Sequence, residues 1–225
     1  TALNGGDQNV IVGHLAGDAL TSGEDNTFIG QAAGGATTAG SSIVVVGRNA
    51  GLADMTTDAN GTVIVGAGAG AAITSGIGNV AIGYQALDAE DDGDSNTAVG
   101  HQALTAQTGS SSEVANTAVG YQAGVAVTKG RYNTIVGKQA LYTEDVGDRS
   151  TAIGYQSMYA QNSDSDNEIT GNTGLGMYSG MHNVTGQNNT YLGYRAGTGA
   201  SSNSNSSNTA VGKDALYAIT TGERN

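Results

Sequence analysis

One nine-residue phrase recurs along the whole chain. It reads NTAVGHQAL at 96–104, NTAVGYQAG at 116–124, NTIVGKQAL at 133–141, STAIGYQSM at 150–158, NTGLGMYSG at 172–180, NTYLGYRAG at 189–197 and NTAVGKDAL at 208–216. Fainter copies precede these: NVIVGHLAG (9–17), NTFIGQAAG (26–34), IVVVGRNAG (43–51), TVIVGAGAG (62–70) and NVAIGYQAL (79–87). Taking the central glycine of each copy as an anchor (Gly13, Gly30, Gly47 and so on to Gly212), the intervals are 17, 17, 19, 17, 17, 20, 17, 17, 22, 17 and 19. A fixed period of this size means units that stack side by side, each burying the face of the last. Seventeen residues cannot hold two helices and a turn, and a glycine in every helix would cost about 1 kcal/mol per copy.

Positions within the copy carry distinct jobs. The residue before the anchor glycine is Val, Ile or Leu in all twelve copies, and the residue three after it is Ala or Ser in all twelve. The β-branched run before the glycine predicts a short strand with side chains alternating between two faces. The invariant aliphatics (Val12, Ile29, Val46, Val119 and their equivalents) are expected to fill the interior. The variable residue two before the glycine (Ile11, Phe28, Val45, Ile64, Ala81, Ala98, Ala118, Ile135) is expected to face solvent or a neighbouring chain. The polar or aromatic residue after the glycine would share the core face in an unbroken strand, so the glycine must be a corner. Alanine six residues past the glycine in nine of twelve copies predicts a second, weaker strand. Asparagine opens nine of the twelve copies, so coil stacking predicts an amide ladder along one corner.

The longer intervals add residues at one place, in stretches such as 110–112, 162–168 and 201–207, as loops on one edge of a solenoid do. Proline is absent, as stacked strands that need every N–H require. The fold expected is all-β: a parallel β-solenoid of about 17 residues per coil, twelve to thirteen coils, covering 1–225 as a single repeat domain. Repeat register at both ends (Gly6 and Asn9, Gly222 and Asn225) reads as a piece of a longer fibre protein.

Composition narrows the function. With no cysteine there is neither a disulfide framework nor a thiolate ligand or nucleophile. Eight Lys+Arg against 20 Asp+Glu, a net charge of −12, argues against nucleic acid as a partner. No apolar run is long enough to span a membrane, so no membrane insertion is expected. The three histidines (His14, His101, His182) lack carboxylate neighbours at triad or ligand spacing, and no enzyme, cofactor or metal is expected. VGAGAG at 65–70 resembles a phosphate-binding loop, but it lies in repeat register with no helix pattern or lysine behind it. The acidic runs Glu90–Asp91–Asp92–Gly93–Asp94 and Asp164–Ser165–Asp166–Asn167–Glu168 hold enough oxygens for Ca²⁺ without matching a calcium-loop pattern, and read as solvated corners.

N-T-A-V-G-Y-Q-A-L in tandem is similar to the repeats in the head of YadA-like trimeric autotransporter adhesins. It resembles still more the N-T-A-[VI]-G-Y-Q-A repeats of bacteriophage tail fibres and related surface proteins. The resemblance covers the whole chain. It implies a left-handed parallel β-roll, a homotrimeric fibre, and a structural or adhesive role in host attachment on a virion or at the cell surface. The chain departs from the adhesin heads in its longer period and its insertions.

The best binding candidate is the column after the anchor glycine: Tyr84, His101, Tyr121, Lys138, Tyr155 and Tyr194. On successive coils these form a stripe at steps of about 4.8 Å. With Gln85, Gln102, Gln122, Gln139 and Gln156 beside them, they could stack on sugars of a cell-surface glycan or receptor, or simply protect a ladder between strands or chains. A different class rests on the threonine column (Thr27, Thr97, Thr117, Thr134, Thr151, Thr173, Thr190, Thr209): regular threonine arrays on flat solenoids bind ice. Here the column alternates with valine and shares the parity of the expected core residue, which favours a half-buried strand position.

Overall fold

The computed structural model describes residues 6–109, 113–200 and 204–225. The insertion at 110–112 and the first part of that at 201–207 lie outside them. Two compact units, Thr1–Val114 and Ala115–Asn225, divide the chain, and both are built from the same coil. The first holds strands β1 (Val10–Val12), β2 (Thr27–Ile29), β3 (Val44–Val46), β4 (Val63–Val65), β5 (Val80–Ile82) and β6 (Thr97–Val99). The second holds β7 (Thr117–Val119), β8 (Thr134–Val136), β9 (Thr151–Ile153), β10 (Thr173–Leu175), β11 (Thr190–Leu192) and β12 (Thr209–Val211).

Within each unit every strand pairs in parallel with the next in chain order, one three-residue strand per coil. Register is set by the repeat: Phe28 lies against Val45 and Ile135 against Ala152. The longer intervals do not disturb it, since Val45 still meets Ile64 across the 19-residue coil. This is the expected β-solenoid of about 17 residues per coil.

The anchor glycine turns the corner. Its φ is +141° at Gly13, +138° at Gly120 and +114° at Gly212, a region closed to residues with a Cβ. Space forbids a side chain as well. A Cβ on Gly13 would lie 2.3 Å from the carbonyl oxygen of Gly30, and one on Gly83 would lie 2.4 Å from that of Gly100. The column is glycine because successive coils touch there, backbone on backbone.

Alternation within the strand runs opposite to the expectation. The variable middle residue is the core: Phe28, Val45, Ile64, Ala98, Ala118 and Ile135 are fully buried. The invariant aliphatic before the glycine points outward, with Val12 58%, Val119 37% and Val211 63% exposed. The reason is volume. The interior of so short a coil takes the strand's middle residue, the Ala or Ser three after the glycine, and the residue four after it. In most coils these trade bulk with one another; Ile135 and Leu141, both large and fully buried, share one coil, next to the thin coil of Ala118 and Gly124. Where the strand carries Ile11, Phe28, Val45, Ile64 or Tyr191, the residue four after the corner is Gly17, Gly34, Gly51, Gly70 or Gly197; where it carries Ala81, Ala98, Ala152 or Ala210, that residue is Leu87, Leu104, Met158 or Leu216. A Cβ on Gly197 would sit 2.2 Å from the Tyr191 ring, and one on Gly34 2.9 Å from that of Phe28. Gly174 and Gly180 both leave their coil thin, and Met158 from the preceding coil and Tyr191 from the following one take up the room.

The expected second strand is not formed among the described residues. The stretch after the glycine is a series of turns, with positive φ at Gln85 and Leu87, Gln102 and Leu104, Gln139 and Leu141. Its inward residue is seven after the glycine rather than six: Leu20, Ile73, Glu90, Val127, Glu144 and Gln161 are buried there. These turns still bond coil to coil, as Gly124 N–H to Ala140 O (3.0 Å) and Leu141 N–H to Ser157 O (3.0 Å) show.

The asparagine ladder is present, and it links mainly side chain to backbone. Asn133 Oδ1 accepts the Ser150 N–H (2.8 Å) while its Nδ2 donates to Gly147 O (2.9 Å), both in the next coil. Asn26 does the same to Ile43 N–H (3.0 Å) and Gly40 O (2.7 Å), and Asn172 to Asn189 N–H (2.9 Å) and Gly186 O (2.6 Å). Each asparagine therefore satisfies one donor and one acceptor that the corner would otherwise bury unpaired. Side-chain to side-chain rungs join in at Asn172, Asn189, Asn208 and Asn225.

Two substitutions test this interior. Ala118→Asp places an uncompensated charge in the core and is expected to cost on the order of 3–5 kcal/mol in urea unfolding. Asn133→Ala strands the Ser150 N–H and the Gly147 carbonyl, with an expected loss of about 2–4 kcal/mol. A near-wild-type midpoint for Ala118→Asp would mean that this residue does not face inward.

Candidate functional site

The corner glycine throws the next side chain outward, and the positive φ of the residue after that keeps the chain turning. Strand register then sets equivalent residues one above another. In the first unit the rings of Tyr84 and His101 stack, 5.1 Å between centroids at 28°. In the second, Lys138 Nζ lies between Tyr121 (5.7 Å) and Tyr155 (5.8 Å). Tyr155 meets Tyr178 edge-on at 5.4 Å, and Tyr178 lies 6.4 Å from Tyr194. Beside the rings run amides: Gln102 Nε2 to Gln85 Oε1 at 3.4 Å, and Gln156 through Gln139 to Gln122 at 3.0 and 3.2 Å. Of the six candidates, Tyr84 and His101 thus share one unit, and Tyr121, Lys138, Tyr155 and Tyr194 share the other.

Several members of this surface escaped the repeat pattern. Tyr178 stands two residues after its corner, where five other coils carry glutamine; copy NTGLGMYSG moves its ring one place along and leaves Met177 in the tyrosine column. Arg195 also stands two after its corner. Its guanidinium carbon is 4.1 Å from the Tyr217 centroid and 5.7 Å from that of Tyr194, with Nε 3.6 Å from Asp214 Oδ1. Burial works against its charge, but the Tyr217 hydroxyl, Asp214 and Tyr194 together outweigh that and hold the guanidinium firmly protonated. Tyr217 belongs to a second ring column, five after the corner, with Tyr142 and Tyr159, whose rings stack at 4.9 Å and 2°. Gln156, Tyr178, His182, Tyr194, Arg195 and Tyr217 line an open groove of about 300 Å³. The signal for Tyr178 and Arg195 was in the sequence as departures from the phrase; Tyr217, with Tyr142 and Tyr159, stands at the position just after it.

The other candidates resolve differently. In VGAGAG, Gly66 is a corner and Gly68 and Gly70 are turn residues of positive φ, with turns rather than a helix following. In the run 164–168, Glu168 Oε2 accepts the Asp164 N–H (3.0 Å) and Asp166 pairs with Lys129 (3.3 Å). The run 90–94 brings Glu90, Asp91 and Asp92 oxygens within 4.8 Å of one another. Glu90 there is a buried corner: its Oε1 accepts N–H groups of Asp91 (3.1 Å), Gly93 (2.8 Å) and Gly109 (2.6 Å). Its equivalent, Glu144, also has its second oxygen satisfied, by Gln161 Nε2 (2.9 Å) and Ser163 Oγ (3.0 Å). Gly109 occupies the Ser163 position, so Glu90 Oε2 meets no donor among the described residues. Among these residues, too, no helix is long and apolar enough to cross a membrane.

Comparison of the chain with family models, curated proteins and solved structures yields no match.

Burial pushes the Glu90 carboxyl above its ordinary value; the Gly93, Gly109 and Asp91 N–H groups oppose this, and the Asp91 charge adds to it. The folded state therefore holds this proton more tightly than the unfolded chain. The stability linked to Glu90 is complete below the unfolded pKa and is lost as pH rises through the folded one. Gln107 and Gln161 show that an amide fits this column. Glu90→Gln is expected to melt above wild type at neutral pH, the gap closing toward about pH 4. A gap that does not vary with pH would contradict the shift.

Proposed function

We propose that the chain is a non-enzymatic segment of a homotrimeric fibre, part of a bacteriophage tail fibre or a related surface appendage, that carries or presents surfaces for host attachment outside the cell. The observation that carries the reading is the outward face of the strands. In every coil the residue before the corner is Val, Ile or Leu, and the one three before it is Thr or Val. The chain's own core does not need them, since the middle residue fills it. A monomer in water would gain nothing from twelve outward aliphatics, whereas a contact repeated coil by coil against further copies of the chain buries all of them. The resemblance supplies three as the number of copies and left as the hand of the coil; a bacterial trimeric adhesin head would use the same contact.

The same face also favours a second reading. Thr117, Thr173, Thr190 and Thr209 are exposed beside the aliphatic column, on the same side of the parallel sheet, and an ice-binding solenoid presents threonines in such an array. Covered by other chains it cannot meet ice, so the two readings exclude each other.

Sedimentation equilibrium is expected to give the mass of three chains. The triple variant Val119→Asp, Ile153→Asp and Leu192→Asp should sediment as one chain while keeping its β-sheet circular dichroism: these outward positions lie on alternate strands, so no two of the new charges are register partners within a chain, and a contact between copies would bury all three. A wild-type monomer with measurable thermal hysteresis would overturn the fibre reading in favour of ice binding.

A further inference from the structure

Charge and aromatic residues are segregated along the coil of the second unit. The six residues after each corner there hold seven of the chain's ten tyrosines, together with Lys138, Arg195 and Lys213, against one carboxylate of the chain's twenty, Asp214. The carboxylates Glu144, Asp145, Asp148, Asp164, Asp166 and Glu168 all stand in the remaining part of the coil. Two of the three cations on the ring side sit between rings: Lys138 between Tyr121 and Tyr155, Arg195 between Tyr194 and Tyr217. Tyr178 spans the interval between these two sandwiches. Arg195 has Asp214 as a counter-ion, whereas Lys138 has no carboxylate within ion-pair distance among the described residues.

We propose that this stripe binds an extended acidic polysaccharide, with carboxylated sugar rings laid along the stacking direction of the coils. The inference rests on the attachment half of the reading above and names the ligand class. Four features fit such a chain together. Half-exposed tyrosines offer apolar ring surface and phenol hydroxyls to the C–H and O–H groups of a pyranose, and Tyr121 and Tyr155, two coils apart, stand about 9.6 Å from each other along the stacking direction, close to the advance of two sugar units. Lys138 and Arg195 lie within that row, where sugar carboxylates would pass, and pairing a carboxylate with Lys138 gives that cation the partner it lacks. The amides of Gln139 and Gln156 are fixed by their ladder, with an unused N–H and lone pair for hydroxyl groups. The acidic corners keep a polyanion off the rest of the coil. A net charge of −12 disfavours the denser phosphate backbone of a nucleic acid, while a neutral glucan would leave the cations unanswered.

Affinity electrophoresis of the full chain in gels containing polygalacturonate, dextran or oligo(dT) tests the proposal. Retardation is expected with polygalacturonate alone, falling about tenfold in Lys138→Gln and in Tyr178→Ala with circular dichroism unchanged. Equal retardation by dextran, stronger retardation by oligo(dT), no retardation in any gel, or wild-type binding by both variants would each overturn it. The same sample in the ultracentrifuge separates this inference from the assembly reading. A trimer that ignores polygalacturonate overturns the inference alone, and a monomer that binds it overturns the assembly alone.

Discussion

Everything in the molecule depends on one requirement: a coil too small to satisfy its own backbone must hand its donors and acceptors to the next coil. Most corners pass an N–H and a carbonyl to an asparagine of the preceding coil, as Ser150 and Gly147 do to Asn133. Each strand passes its amides across a parallel ladder, and each turn bonds to the turn one coil on. The coils must then approach closely at a fixed step, and the glycine column follows, since no Cβ fits against the carbonyl of the neighbouring corner. Proline would remove a donor from this scheme, and the chain has none.

From the fixed step comes everything that has a column. Inside, the columns compensate one another in size: Tyr191 needs Gly180 and Gly197, and Ala98 is matched by Leu104. Polar columns inside are answered mainly by hydrogen bonds, as Glu144, Gln161 and Ser163 answer one another. Glu90 shows the cost when one answering residue becomes glycine, and its carboxyl is pushed toward the neutral form. Outside, columns become surfaces: aliphatics and threonines along the strands, and rings with cations past the corner.

Much of this was legible in the sequence. The 17-residue period, the corner glycine, the parallel pairing, the asparagine ladder and the exposed stripe from Tyr121 to Tyr155 all follow from residue types recurring at one spacing. What misled was the assumption that the most constant aliphatic marks the core. In a coil this narrow the reverse holds, because interior positions trade volume among themselves and therefore vary, as Phe28 with Gly34 and Ala152 with Met158 do. The pairing of the residue two before the corner with the residue four after it was visible, and it is the better sign of an inside position. The alanine six past the corner suggested a strand, but the positive φ at Leu87, Leu104 and Leu141 makes that stretch a turn and brings the seventh residue inward. Tyr178 and Arg195 were hidden because they break the phrase rather than repeat it, and Tyr217 because it lies just past the phrase's end.

The proposed contact between copies and the proposed ligand draw on different parts of the surface. The strand face suits contact between copies, and the ring stripe past the corner suits an elongated ligand. Both presuppose that the coils are locked in register by their asparagines. Residue-resolved amide hydrogen exchange tests that lock most directly. The backbone N–H groups of Asn133, Ser150 and Asn189, each bonded to an asparagine Oδ1 of the preceding coil, should be as strongly protected as the strand amides of their unit. Exchange at these three sites near the rate of an unstructured chain, with the strands still protected, would contradict it.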